Sequence, residues 1–146
     1  MRRGFTLITA ILFILLISTI SMLALSLSSL TTKQTSDIYL REQAELLLQS
    51  ATEYALLAIS GRNIATNGCI NAINAQYPQA GANALFDINI SLSYLGNGLP
   101  NTCNRLDNNV SNLDSNVTVM IDTVVTSANS VSTEPIRLHR RTLQKP

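Results

Sequence analysis

The first third of the chain contains one uninterrupted apolar run. It extends over Phe5–Leu30, 26 residues without a charged residue, a glycine or a proline. As an α-helix it would be about 39 Å long, which exceeds the roughly 30 Å of a bilayer's hydrocarbon core. Arg2 and Arg3 precede it, so the positive-inside rule predicts a cytoplasmic N-terminus and an exported remainder. The pattern therefore predicts a single transmembrane helix over residues 5–30.

Helical spacing continues beyond the apolar run. Between Asp37 and Ser60, apolar residues recur three and four positions apart, which predicts an amphipathic helix. Gly61 follows as a helix stop. We therefore expect residues 5–61 to form one long N-terminal helix, whose second half needs a globular domain to pack against. Its predicted buried stripe comprises Leu40, Ala44, Leu47, Ala51, Ala55 and Ala58, widened by Leu48 and Leu56.

The pattern changes to alternation in residues 62–146. Leu85–Leu95 and Val117–Thr126 alternate apolar and polar residues, which predicts two half-buried strands, and Ile136–Leu138 is a candidate third. Residues 63–83 are interpreted as a loop with a short helix around Ile64–Ala75. The predicted fold class is α+β, a long helix on a small antiparallel sheet. The predicted inward residues are Ile88, Ile90, Leu92 and Tyr94 in one strand, and Val117, Val119, Ile121 and Thr123 in the other.

Small and hydroxylated residues occur at helical spacing within the apolar run. They are Ser18, Ser21, Ala24 and Ser28. Such residues allow close packing between helices in lipid. Their hydroxyls can also bond to the backbone of their own helix. The sequence leaves both interpretations open.

Charge is distributed unevenly, although the net charge is only +1. Residues 63–136 contain five acidic residues against the single cation Arg105. The last ten residues, RLHRRTLQKP, contain Arg137, Arg140, Arg141 and Lys145. We interpret this segment as a solvated basic C-terminal tail, because only four fixed charges and no aromatic residues are present. Binding of an acidic surface, anionic lipid or nucleic acid is the alternative.

The chain has two cysteines, Cys69 and Cys103. Their spacing matches no metal-binding signature such as CxxC. If this region is exported, it folds in an oxidising compartment, where a disulfide is the natural state of such a pair. Two buried free thiols are the alternative.

Three interpretations of the N-terminal segment compete. A cleaved secretory signal has an apolar region of about 7–15 residues followed by a small-residue cleavage site. Here the run is much longer, and the only passable triplet, Ala24-Leu25-Ser26, lies inside it. A plain membrane anchor fits the length but does not explain why the helical pattern continues to Ser60.

The third interpretation comes from a resemblance. The junction Arg2-Arg3-Gly4-Phe5-Thr6-Leu7-Ile8, followed by an apolar and then amphipathic helix, resembles the type IV prepilin family. This family includes major pilins, minor pilins and the pseudopilins of type II secretion. The resemblance implies that a prepilin peptidase cleaves between Gly4 and Phe5 and that Phe5 is then N-methylated. Residues 1–4 would be a removed leader, with Arg2 and Arg3 as its positive charges.

One position departs from the family pattern. Pilins usually carry a glutamate at the fifth residue of the mature chain, and Thr9 occupies that position here. A carboxylate there can neutralise the N-terminal amine of a neighbouring subunit inside a medium where an unpaired charge is expensive. In lacking it, the chain resembles certain minor pilins and the tip pseudopilin. We therefore expect a minor subunit; a tolerated substitution in a major subunit is the alternative.

The sequence offers little for catalysis or for metal binding. His139 is the only histidine, and no nucleophile has a visible base. Asp107–Ser111 spaces oxygen ligands as a calcium loop would, but Asn112 and Thr118 replace the glycine and glutamate of an EF-type loop. We interpret that segment as a polar turn. The expectation is a protein that is not an enzyme and has no cofactor and no metal.

The resemblance implies a structural role. The expected protein is a minor subunit of a type IV pilus-like or type II secretion filament. It would be a single-pass protein of the bacterial inner membrane before it enters a periplasmic or surface filament. The implied partners are the prepilin peptidase, other pilin or pseudopilin subunits, the inner-membrane assembly platform and, before assembly, membrane lipid. Nucleic acid is not expected. The alternatives are a tip-displayed module that binds a surface, cargo or DNA, and an unrelated signal-anchored periplasmic protein.

Overall fold

The computed structural model describes residues 3–110, 117–129, 131–132 and 134–146. The chain divides into two units, Met1–Ile38 and Tyr39–Pro146. The described part of the first unit is entirely helical, and the second combines helix and sheet, which confirms the predicted α+β class. The elements in chain order are α1 (Arg3–Ser60), α2 (Ile64–Asn67), β1 (Ala72–Tyr77), β2 (Phe86–Gly96), β3 (Arg105–Asp107), β4 (Val117–Ser127) and β5 (Arg137–Gln144).

Helix α1 is continuous over 58 residues and ends where the sequence predicts. The backbone N–H of Gly61 donates to the carbonyl of Leu57 at 3.1 Å, and that of Arg62 donates to the carbonyl of Ile59 at 3.0 Å. These two bonds satisfy carbonyls of the last turn that have no partner within the helix. Gly61 is therefore confirmed as the stop.

The sheet has the strand order β1-β2-β4-β5, and every pair along this path is antiparallel. Strands β2 and β4 form its centre, with an unbroken register from Phe86↔Ser127 to Gly96↔Val117. Their inward side chains are buried as the alternation predicts, apart from Val117, which is partly exposed. The predicted strands Leu85–Leu95 and Val117–Thr126 are thus confirmed; the first is displaced by one residue at both ends, and the second is one residue longer at its C-terminal end.

The prediction for residues 63–83 is wrong in part. The helix stops at Asn67, and Ala72–Tyr77 is an edge strand paired with β2 instead of helix or loop. The sequence AINAQY is mostly exposed, so it carries almost none of the hydropathy alternation that marks a half-buried strand. The short strand β3 was also not predicted, and it pairs in parallel with the end of β2, so the five-stranded sheet is not purely antiparallel.

The core of the second unit lies between residues 39–60 of α1 and the inner face of the sheet. Small side chains dominate the helix side: Ala44 and Ala55 are completely buried, which permits close approach of the helix backbone to the strands. The buried stripe differs slightly from the prediction, because Leu47 and Ala58 are only partly buried whereas Ile59 is buried. The large buried residues of the sheet are Phe86, Ile90, Leu92, Tyr94, Val119, Ile121 and Val125.

Two buried polar groups in this core are satisfied. The hydroxyl of Thr52 donates to the carbonyl of Leu48 at 2.9 Å and lies 3.4 Å from the hydroxyl of Thr123 on β4. The Tyr94 hydroxyl donates to the carbonyl of Ile70 at 2.6 Å. Burial raises the pKa of Tyr94, although this hydrogen bond opposes the effect. Both contacts link elements that are distant in sequence and satisfy the hydroxyls of Thr52 and Tyr94.

Candidate functional site

The predicted processing junction lies at the very start of α1. The helix begins at Arg3, so the peptide bond between Gly4 and Phe5 belongs to its first turn, whereas Arg2 lies outside the described residues. The first four N–H groups of a helix have no intrahelical acceptor, so this turn is held by fewer hydrogen bonds than the interior of the helix. Thr9 lies just beyond it and is partly exposed. The junction is therefore placed where local unwinding of the backbone requires few broken hydrogen bonds.

The helical first unit presents apolar side chains in every direction. From Leu7 to Leu30, every Leu, Ile, Met and Phe side chain is more than half exposed. By length and composition this helix is a candidate membrane span. A helix that is apolar all round requires lipid or other helices around it.

Hydroxyl groups in this helix bond to the helix itself. The Ser21 hydroxyl donates to the carbonyl of Ile17 at 2.8 Å, and the Thr19 hydroxyl donates to that of Leu16 at 2.9 Å. For Ser21 the structure thus favours the backbone-bonding interpretation. The same pattern continues along the helix at Ser26, Ser29, Thr31, Thr32 and Thr35.

The part of α1 in the second unit also has exposed apolar residues. Tyr39, Leu46, Tyr54 and Leu57 are 58–70% exposed, although the helix packs its opposite side on the sheet. Single exposed apolar residues are ordinary on protein surfaces, but four on one helical segment form a surface suited to another apolar partner.

The predicted disulfide between Cys69 and Cys103 is present in the structure. It joins the segment after α2 to the segment before β3, across 34 residues of sequence. Asn71 reinforces this junction: its side-chain amide donates to the carbonyl of Thr102, and its side-chain oxygen accepts from the N–H of Asn104, both at 2.9 Å. The disulfide and the two hydrogen bonds of Asn71 therefore join the same two segments of the sheet domain.

The calcium-like segment uses its oxygens within a turn. A carboxylate oxygen of Asp107 accepts from the N–H of Asn109 at 3.0 Å, and the side-chain oxygen of Asn108 accepts from the N–H of Leu99 at 2.7 Å. Ser111 and Asn112 lie outside the described residues. Within the described part of the chain, no group of three or more His, Cys, Asp or Glu residues could hold a metal ion. The described portion of this segment therefore fits a polar turn.

The interpretation of the C-terminal segment as a solvated tail is wrong. Arg137–Gln144 forms strand β5, which pairs with β4 from Thr126↔Arg137 to Val119↔Gln144. The candidate strand Ile136–Leu138 overlaps only the beginning of this longer strand. Charged residues are tolerated there because β5 is an edge strand, where their side chains reach water.

A small charge cluster joins β4 and β5 on the outer face of the sheet. Asp122 accepts hydrogen bonds from the guanidinium of Arg141 at 2.6 and 3.0 Å, and it also contacts Nε2 of His139. Burial alone would raise the pKa of the Asp122 carboxyl, but the hydrogen bonds from Arg141 and His139 outweigh it and lower the pKa. Asp122 was not singled out in the sequence; only the strand register, which places it directly opposite Arg141, identifies the cluster.

We expect an Asp122→Asn substitution to destabilise the protein in a pH-dependent way. Because the folded-state pKa lies below the unfolded value of about 3.9, the carboxylate stabilises the fold above that value and loses its effect as the pH falls below it. The variant should be less stable by about 0.2–1 kcal/mol near neutral pH, since the cluster lies at the surface. Urea unfolding at pH 7 and at pH 2.5 measures this; an equal difference at both values would contradict it.

Comparison with known proteins adds no assignment. No family model matches this chain, and neither a curated protein nor a solved structure matches it.

Proposed function

We propose that this protein is a prepilin-like structural subunit, specifically a minor pilin or minor pseudopilin of a type IV pilus-like or type II secretion filament. The observation that carries the proposal is the construction of α1. Its first part is apolar and exposed on all sides, and the same helix continues without a break into a part that packs on a sheet. A plain membrane anchor requires only the first part.

During assembly, neighbouring helices would replace lipid around the apolar helix. Residues 7–30 would be stored in the inner membrane and then transferred into a bundle of similar helices. Lipid tails and neighbouring helices are comparably apolar, so the transfer needs no large change in hydrophobic burial and depends on packing. The back-bonded hydroxyls of Thr19 and Ser21 fit both environments, because they need no partner outside the helix. In the second unit, Leu46, Tyr54 and Leu57 would provide a further contact surface for neighbouring subunits.

The proposal predicts a specific N-terminus. Protein isolated from membranes that contain a prepilin peptidase should begin at Phe5, with an N-methyl group, and should lack Met1–Gly4. Intact-mass and N-terminal peptide analysis measure both features. The matched control is Gly4→Leu, which changes the residue before the predicted cleaved bond and should retain the leader. A mature N-terminus at Ser26 or later would restore the signal-peptide interpretation and remove the filament proposal.

A further inference from the structure

Strand β5 forms an open edge of the sheet. It pairs with β4 on one side, and among the described residues no strand pairs with its other side. The register between the two strands runs without a bulge through all eight residues of β5. A regular edge strand of this length presents a row of backbone groups that another strand can bind.

The hydrogen-bond pattern identifies which residues of β5 face the open edge. The N–H of Ser127 donates to the carbonyl of Ile136 at 2.8 Å, so these opposite residues form a hydrogen-bonded pair. Such pairs alternate with non-hydrogen-bonded pairs along an antiparallel ladder. Residues 138, 140, 142 and 144 therefore direct their backbone groups toward β4. The residues that direct their N–H and C=O groups to the open edge are Arg137, His139, Arg141 and Leu143.

The side chains of these same four residues lie on one face of the sheet. Side chains of opposite residues share a face, so His139 and Arg141 lie beside Val124 and Asp122 on the face opposite the core. All four are exposed, and Leu143 is 63% exposed. Asp122 engages His139 and Arg141, whereas Arg137 has no acidic side chain within 4 Å among the described residues. The edge thus combines free backbone groups with Arg137 and Arg141 on its outer face, whereas Glu42 and Glu45 of α1 line a cavity with His139 and Arg140.

We propose that the open edge of β5 is a docking site for an extended acidic segment of a partner protein, which binds by strand addition. Backbone hydrogen bonds to the four outward residues would supply affinity, and alternate side chains would supply specificity. In an antiparallel pair, the residues of the added strand opposite Arg141, His139 and Arg137 would be acidic or polar, and the residue opposite Leu143 would be apolar. This proposal does not depend on the filament proposal.

Charge distinguishes this occupant from a second copy of the chain. Pairing two β5 edges would bring two rows of cations side by side, which is unfavourable for directly opposite like charges. The other open edge, β1, has the uncharged sequence AINAQY, so it contains no acidic side chain that could pair with the cations of β5. A basic edge therefore discourages self-association and retains the capacity to bind an acidic strand.

The direct test uses the full chain in nanodiscs of zwitterionic lipid and two nine-residue peptides. The first has an apolar first residue and glutamate at positions three, five and seven, with threonine and valine elsewhere. The second replaces each glutamate by lysine. We expect the glutamate peptide to bind with an affinity that falls with added salt, and to slow hydrogen exchange at the amides of Arg137, His139, Arg141 and Leu143. The lysine peptide should bind at least about ten-fold more weakly, since attractive pairs are replaced by repulsive ones.

Three variants separate charge from backbone pairing. Arg137→Glu should weaken binding of the glutamate peptide about ten-fold for the same reason. Arg105→Glu makes the same change of charge at an exposed position on β3, on the opposite side of the sheet, and should leave binding unchanged. Leu143→Pro removes one outward N–H, which an edge strand tolerates, and should also weaken binding.

Several results would overturn the proposal. They are absence of binding, equal binding of the two peptides, binding without protection of the outward amides, and an equal effect of Arg105→Glu and Arg137→Glu. Binding of a single-stranded oligonucleotide in place of the peptide, again without amide protection, would reassign the edge to recognition of polyanions by charge alone.

Discussion

Replacing Cys69 and Cys103 together by alanine is expected to lower the free energy of unfolding of the sheet domain by about 3–4 kcal/mol. The disulfide closes a loop with a sequence separation of 34 residues, and in the chain-entropy model the lost constraint on the unfolded state accounts for this value. Part of the effect would arise in the native state, because Cys103 is buried and its neighbours Asn71 and Asn104 depend on the same junction. Urea unfolding of the full chain, followed by circular dichroism, measures the difference.

Reduction provides the matched control for this prediction. Dithiothreitol should destabilise the wild-type protein by a similar amount and should not change the double-alanine variant. Thiol labelling of the unfolded, unreduced protein should detect no free cysteine. Two labelled thiols, or a double variant as stable as the wild type, would contradict the prediction.

The sequence was sufficient to locate those elements in which buried residues recur at a regular spacing. In β2 and β4, alternate residues are buried, so alternation located both strands to within about one residue. In α1 the centre of the buried stripe was located correctly, and the difference lies at its C-terminal end, where Ile59 is buried and Ala58 is only partly buried. Neighbouring positions on a helix differ by about 100°, and an apolar residue at either one satisfies the same pattern. Only the position of the sheet decides between them.

The sequence was insufficient where an element depends on its partners. The edge strands β1 and β5 have little burial of their own, and their hydrogen bonds to β2 and β4 hold them in place. A basic, polar segment such as RLHRRTLQ has the composition of a solvated tail, and only its backbone pairing with β4 explains why it is ordered. The open edge of β5 could not be predicted from the sequence either, because the strand order determines which side of a strand remains unpaired. The processing junction, in contrast, is a local motif and needed no tertiary information to propose.

A substitution at Thr9 is expected to distinguish a minor subunit of a filament from a major subunit. In the family that the chain resembles, a glutamate at this position pairs with the amine of a neighbouring subunit. If the protein is a minor or tip subunit, as proposed, no neighbour requires that partner. A Thr9→Glu substitution would then add an acidic group to the membrane-embedded helix at a cost of up to about 2.5–3.5 kcal/mol at the bilayer centre, and less near the interface.

We therefore expect Thr9→Glu to enter filaments no better than the wild type. Thr9→Gln is the matched control, since it has nearly the same shape without the charge. Quantitative immunoblots of sheared filaments, normalised to the membrane pool, compare the three proteins. A major subunit would give the opposite order, because the glutamate would restore a missing ion pair while the glutamine would not. A clear rise for Thr9→Glu above both Thr9→Gln and the wild type, or wild-type protein as the bulk of the filament, would show that the minor-subunit proposal is wrong.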